Sequence, residues 1–454
     1  MLNKLAIRNI RHYIRSYIVY LITVSFSSWA FCTFTALSGS SYMDQMKEES
    51  KVFGMCFEMG SWILLAFTAI FVWYSTDFFF QQRKQEFGMY MLMGIKRRSI
   101  SYLLIVETVI IGMAAVCTGM LASFATSLPV QKAASAFIGH DFGAKIIIPV
   151  SDACLMLLKY LMVFVIFSVL NCISMKRSSL VDLFKAKNIQ EKPFRSSMLK
   201  MTAAFIILAS GFVMIFNAKG ADTMYLLPVG LGAVIAGTFI AFLQETAGIA
   251  ERLRSSELCA SNLSNRVNVT GTIHRLRRNA SSWASISLLI AASVSLMILV
   301  CSIYQSTLEL RDLPEEAEQG IEEVIAIYKV LLMVIMTVGA ALISSTGSII
   351  YFRTISDLRE DRSSMWVLHC IGADRRELNG IIRKKVGIMF MTPLASGIMY
   401  SMLFAVYVSK RNLMSGIQPV LISVTVYALI YLVYYLMSAR QGRSLIDETY
   451  RRAE

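Results

Sequence analysis

The sequence predicts an all-α polytopic membrane protein, and three observations carry that prediction. Of 454 residues, 56% are hydrophobic and only 16% charged, against about 25% charged in an ordinary soluble domain. The apolar residues gather into ten runs near the length of about 20 that a helix needs to cross a bilayer. Basic residues collect at alternate connections between these runs, as expected when Lys and Arg are retained on the cytoplasmic side. Disorder and a small disulfide scaffold are excluded by the abundance of apolar residues and by 8 Cys in so long a chain.

Residues 1–16 come first. Lys4, Arg8, Arg11 and Arg15 recur at helical spacing, while Leu2, Leu5, Ala6, Ile10, Tyr13, Ile14 and Tyr17 form the other face. That pattern predicts an amphipathic helix along the inner leaflet, followed by an uncleaved anchor. The expected spans run 17–38, 60–80, 102–128, 153–173, 199–217, 224–243, 283–303, 329–352, 386–408 and 419–437. Ala218 to Thr223 is short enough to make the fifth and sixth a hairpin. The corresponding domains are a four-span group over 17–198, the hairpin over 199–243, a cytoplasmic linker over 244–282, a second four-span group over 283–437 and a tail over 438–454.

With both termini inside, cytoplasmic segments hold 33 of the 44 Lys and Arg and external loops hold 8. The 30 acids divide evenly, 14 on each side and two, Asp77 and Glu107, in spans. The formal charge of +14 therefore reflects topology, and no nucleic-acid partner is expected.

An internal repeat is visible at the cytoplasmic loops. Arg83 to Gly94 reads RKQEFGMYMLMG, and the stretch from Asp361 reads DRSSMWVLHCIG. Gly94 pairs with Gly372, Arg97 with Arg375, Arg98 with Arg376 and Ile100 with Leu378. Spans one to four and seven to ten are then parallel copies around the inserted hairpin. Phe87, Met91 and Ile95 form an apolar stripe in the first loop; Met365, Leu368 and Ile371 do so in the second. A helix of this kind either lies on lipid or docks its exposed face in the groove of a soluble partner.

At Gln82-Arg83-Lys84-Gln85-Glu86-Phe87-Gly88, with Gly94 and the cluster Lys96, Arg97 and Arg98, the chain resembles the FtsX-like permease superfamily. Leu5 to Arg11, leading into Tyr17 to Leu21, looks like its bacitracin-export subfamily, which works in peptide-antibiotic resistance. The resemblance implies a non-catalytic permease subunit in a bacterial plasma membrane, paired with a separate ABC ATPase dimer that binds ATP and Mg. It implies a two-component sensor kinase as a further partner and a peptide or lipid-linked antibiotic as the ligand, beside membrane lipid. It also implies ATPase coupling through Arg83, Lys84, Glu86, Phe87, Gly88, Gly94, Lys96, Arg97 and Arg98, and in the second copy through Gly372, Arg375 and Arg376. The chain contains no Gly-Lys dipeptide and hence no GxxxxGK[ST] phosphate loop. Any ATP chemistry must come from a partner.

Members of that subfamily carry a large extracellular domain between spans seven and eight. Here the connection from Tyr304 to Tyr328 is short and acidic, with Glu309, Asp312, Glu315, Glu316, Glu318, Glu322 and Glu323 against Arg311. This opens a second reading, a signal transmitter that regulates a cell-wall hydrolase or sensor kinase without transport. Secondary transport would need charges near the midplane, whereas Asp77, Glu107 and Lys159 lie nearer the edges and are expected to pair within the bundle or snorkel. Small residues Gly112, Ala115 and Gly119 in span three, and Gly339, Ile343 and Gly347 with Ala340, Ser344 and Ser348 in span eight, predict close helix contacts. The cysteines and His12, His140, His274 and His369 show no metal-ligand spacing, and no nucleophile has a base at motif spacing. No metal site or intrinsic enzyme is expected, and the substrate site is not legible.

Overall fold

The computed structural model describes residues 8–9, 14–38, 48–138, 150–177, 198–217, 223–255, 263–311, 318–360, 365–367, 370, 375–410 and 416–451. Among them there is no strand. Eleven helices follow in chain order: α1 (Ile14–Ser38), α2 (Glu48–Gln82), α3 (Lys84–Leu92), α4 (Arg97–Ile138), α5 (Val150–Arg177), α6 (Met198–Asn217), α7 (Thr223–Ser255), α8 (Leu263–Arg311), α9 (Glu318–Glu360), α10 (Arg375–Lys410) and α11 (Gln418–Arg451). All but the short α3 are long and apolar enough to span a bilayer, giving 10 candidate spans. Helix is the outcome because lipid offers no partner for a bare N–H or C=O, so each segment must satisfy its backbone internally.

Several helices run beyond the expected spans: α2 begins at Glu48, α8 and α9 extend past both expected ends, and α10 begins at Arg375. The third span was expected to stop at residue 128, before Pro129, yet α4 continues to Ile138. Proline costs α4 one backbone donor, but Ala134 and Ile138, beyond it, are buried in a core with Leu37 of α1, Phe57 of α2 and Val334 of α9. Tertiary packing past the break holds the helix together. Of the expected N-terminal amphipathic helix, only residues 8–9 and 14–16, the latter at the start of α1, are among the described residues, and residues 312–317 of the acidic connection lie outside them.

The chain forms two compact units. The first comprises Met1–Ile189, Ser293–Gly387 and Val408–Glu454; the second comprises Gln190–Ala292 and Ile388–Tyr407. In lipid, helix association rests on close packing and interhelical hydrogen bonds, because the surrounding tails are as apolar as leucine. The first unit uses both. A Cβ at Gly119 of α4 would fall on Ser28 Oγ and the Ser25 carbonyl of α1, and a Cβ at Gly112 would come 2.7 Å from the Phe164 ring of α5. Hydroxyls cross-link the spans: Thr23 with Ser348 at 2.8 Å, Ser25 with Thr118 at 2.7 Å, and Ser27 with Thr68. Asn171 donates to Thr76 Oγ1 at 2.8 Å. Lys159 sets its ammonium over the rings of Trp62 (4.6 Å) and Phe31 (5.6 Å), so its charge is held by aromatic faces within the bundle.

Span eight behaves in two ways. Gly347 meets the Tyr434 ring of α11, whereas a Cβ at Gly339 would find only Leu296 Cβ at 3.9 Å. Gly339, Ala340, Ile343 and Ser344 instead line an apolar cleft of about 320 Å³ between α8, α9 and α11. The close contact expected along the whole small-residue row is therefore confined to its Gly347 end.

In the second unit α6 and α7 pack through glycines. A Cβ at Gly211 would lie 2.8 Å from the Gly230 carbonyl, and one at Gly237 would lie 2.9 Å from the Leu208 nitrogen. Phe242, Trp283, Ala284 and Met389 close the core of this unit.

Candidate functional site: the joint between α2 and α4

The predicted coupling residues lie where α2 ends, turns at Arg83, runs through α3 and re-enters the bundle as α4. Arg83 is the pivot. Its backbone N–H bonds the Phe80 carbonyl at 3.2 Å, and its own carbonyl accepts the Phe87 N–H at 3.1 Å. The side chain turns inward and is 2% exposed. Arg83 Nη1 donates to Glu107 Oε2 on α4, and Nε donates to Glu86 Oε2 at 3.2 Å. The guanidinium also lies over the Phe87 ring, 5.1 Å from its centroid. Burial opposes the Arg83 charge, but the Glu107 carboxylate, with smaller help from Tyr17 and Glu86, more than offsets it. The guanidinium pKa is thus raised above its ordinary value and the group stays charged.

Glu107 is also buried, at 3% exposure, and its other oxygen, Oε1, accepts a hydrogen bond from Asn9 Nδ2 at 2.9 Å. Of the two outcomes expected for this intramembrane acid, pairing in the bundle is the one observed. Beside the pair is a cavity of about 20 Å³ bounded by Tyr20, Thr76, Arg83 and Glu107, room for a single water.

The apolar stripe fixes the roll of α3. Phe87 is fully buried, stacks on Phe80 at a centroid distance of 5.9 Å and shares a core with Ile100; Met91 and Ile95 pack against it. Phe87 thus faces the bundle, with Met91 and Ile95 half-buried beside it. The same roll leaves Met89, Leu92 and Met93 exposed at 48%, 70% and 72%. The sequence pattern does not single out these three, because their spacing from Phe87 places them off the stripe.

The turn after α3 needs its glycine. Ile95 N–H bonds the Tyr90 carbonyl at 3.0 Å and Gly94 N–H bonds that of Met91 at 3.1 Å, the paired bonds of a Schellman cap. Gly94 has φ +87°, in the left-handed region, where an L side chain is strained by roughly 1–2 kcal/mol. This cap aims Lys96, Arg97 and Arg98, with Lys96 and Arg98 exposed.

Among the predicted residues, Arg83, Phe87 and Gly88 are therefore buried and shape the joint; Gly94, Lys96 and Arg98 are exposed, and Glu86 and Arg97 are half-buried. Lys84 takes part in α3 through its backbone. In the second loop Gly372 lies outside the described residues, Arg375 and Arg376 open α10, and Met365 is half-buried beside exposed Trp366 and Val367. Of the second stripe, Leu368 and Ile371 lie outside the described residues. Cys56 and Cys154 are both free thiols, and no group of metal-ligating side chains occurs among the described residues.

Residues 59–180, which contain this entire joint, match the family described as FtsX-like permease C-terminal. The chain carries an FtsX-like permease domain. It is homologous to the bacitracin export permease protein BceB of Bacillus subtilis, 22% identical over 316 residues, covering 67% of this chain and 49% of the relative. The ABC transporter permease protein YxdM of the same organism is 22% identical over 321 residues, covering 69% and 50%. BceB of Halalkalibacterium halodurans is 19% identical over 317 residues, covering 67% and 48%. The chain thus spans about half the length of these curated relatives. The FtsX-like permease match runs from the start of span two to just past span four, so it covers the last three spans of the first predicted repeat and leaves span one and the second repeat resting on the sequence pattern alone.

Proposed function

We propose that the chain is the membrane subunit of an ABC transporter, with both termini and the α2–α4 joint on the cytoplasmic side. A separate ATPase dimer, binding ATP and Mg, docks on α3 and drives removal or export of an amphipathic peptide or lipid-linked antibiotic at the plasma membrane. The observation that carries this reading is the joint itself. A buried ion pair and a buried Phe87 fix α3 so that three apolar side chains, Met89, Leu92 and Met93, face outward beside a basic turn. A water-facing helix with such a knob is set up to fill a partner's groove. The relatives' names support the antibiotic class of ligand.

A second reading follows from the short connection between α8 and α9. With little chain there to grasp a ligand, ATP-driven motion would act on a wall hydrolase or a sensor kinase instead.

Purification of the tagged chain from its native membranes tests the proposal. The wild type is expected to bring down an ATPase, and the double variant Leu92→Asp with Met93→Asp to lose it while keeping its expression and thermal stability, because both side chains are exposed. Retention of the ATPase by the double variant would contradict docking on α3. Changed antibiotic susceptibility in a deletion strain favours export or removal; changed wall hydrolysis favours the transmitter.

A further inference from the structure

Glu107 receives hydrogen bonds from two directions at once. Arg83 reaches Oε2 from the turn that begins α3, and Asn9 reaches Oε1 at 2.9 Å from the segment that precedes α1. One carboxylate on α4 therefore ties the N-terminal segment to the joint. The Arg83 tie is buried, with Arg83 and Glu107 2% and 3% exposed, and the Asn9 tie is part-buried. If α3 moved and Arg83 left, Glu107 would remain a buried charge stripped of its cation, a strongly disfavoured state. The carboxylate must follow the guanidinium, and Asn9 must follow the carboxylate or surrender its bond. The adjoining cavity of about 20 Å³ gives the pair slack for a small displacement.

We propose that Glu107 and Asn9 are positioning residues of the coupling joint, transmitting displacement of α3 to α4 and to the N-terminal segment together. This rests on the reading of α3 as the element that meets the ATPase. The ion pair acts as the rigid link and the Asn9 amide as the tether, so that span three and the lead into span one respond as one body.

Hydrogen exchange of the full chain in lipid nanodiscs, with Glu107→Gln, tests the link. Exchange is expected to quicken at least tenfold across residues 84–92 and around residue 9, while the middle of α4 keeps its protection. Unchanged exchange would overturn the proposal, and so would a loss of protection running through all of α4, which would mark Glu107 as a packing residue only. Asn9→Leu, which keeps the Arg83 pair, is expected to release the N-terminal segment alone. The second arm uses the ATPase that copurifies with the wild-type chain. Both variants are expected to retain it but to lose its stimulation at least fivefold, and Arg83→Glu combined with Glu107→Arg is expected to recover it. Full stimulation in Glu107→Gln would overturn the proposal. A wild-type chain that holds no ATPase would instead overturn the functional reading, and the exchange result would still decide whether the link exists.

Discussion

Arg83 and Gly94 bound the same short loop and act by opposite means. Arg83 is fixed by charge, buried against Glu107 and Glu86; Gly94 is fixed by the absence of a side chain at φ +87°. Gly94→Ala is expected to cost about 1 kcal/mol in the left-handed region, read as faster amide exchange at the C-terminal turn of α3 with the rest of the bundle unchanged. Gly94, Arg83 and Glu86 stood out in the sequence as motif residues, but the cap and the Arg83–Glu86 ion pair came from the structure. The Asn9–Glu107 bond joins residues 98 positions apart, and no periodicity announces such a contact. Phe87 was legible as important but not in its sense: a buried anchor and an exposed docking residue look alike in a stripe until the neighbouring helices show which side is the core.

At the scale of elements, the spans were readable because a bilayer imposes both length and composition; their ends were less so, since α2, α4, α8, α9 and α10 each run on past the apolar stretch at one end or both. Contacts between spans were less readable. Small residues mark where helices can approach, not where they do, as the difference between Gly347 and Gly339 shows. Gly119→Leu is expected to destabilise the protein far more than Gly339→Leu, since the first would drive α4 off α1 and the second extends into the open cleft; thermal unfolding in detergent, followed by size exclusion, ranks them. The Thr23–Ser348 hydroxyl bond joins α1 to α9 at 2.8 Å. A double-mutant cycle of Thr23→Val and Ser348→Ala is expected to give a coupling of about 0.6 kcal/mol, the usual size for such bonds in membranes. A value near zero would mean that close packing alone holds these spans.

Across the whole molecule, the net charge of +14 says little until it is sorted by connection, and the sorting leads to the loop where α3 lies. Burial then separates the loop into residues that build the joint and residues that face outward. The central claim is that the outward face, Met89, Leu92 and Met93, meets an ATPase. Photo-cross-linking in native membranes measures this most directly, with a photoreactive residue at position 92 and a control at position 110, where Ile110 is exposed within span three. Position 92 is expected to give an adduct with an ATPase subunit, identified by mass spectrometry, and position 110 to give lipid adducts only. Lipid adducts at both positions, with no ATPase at position 92, would contradict the account.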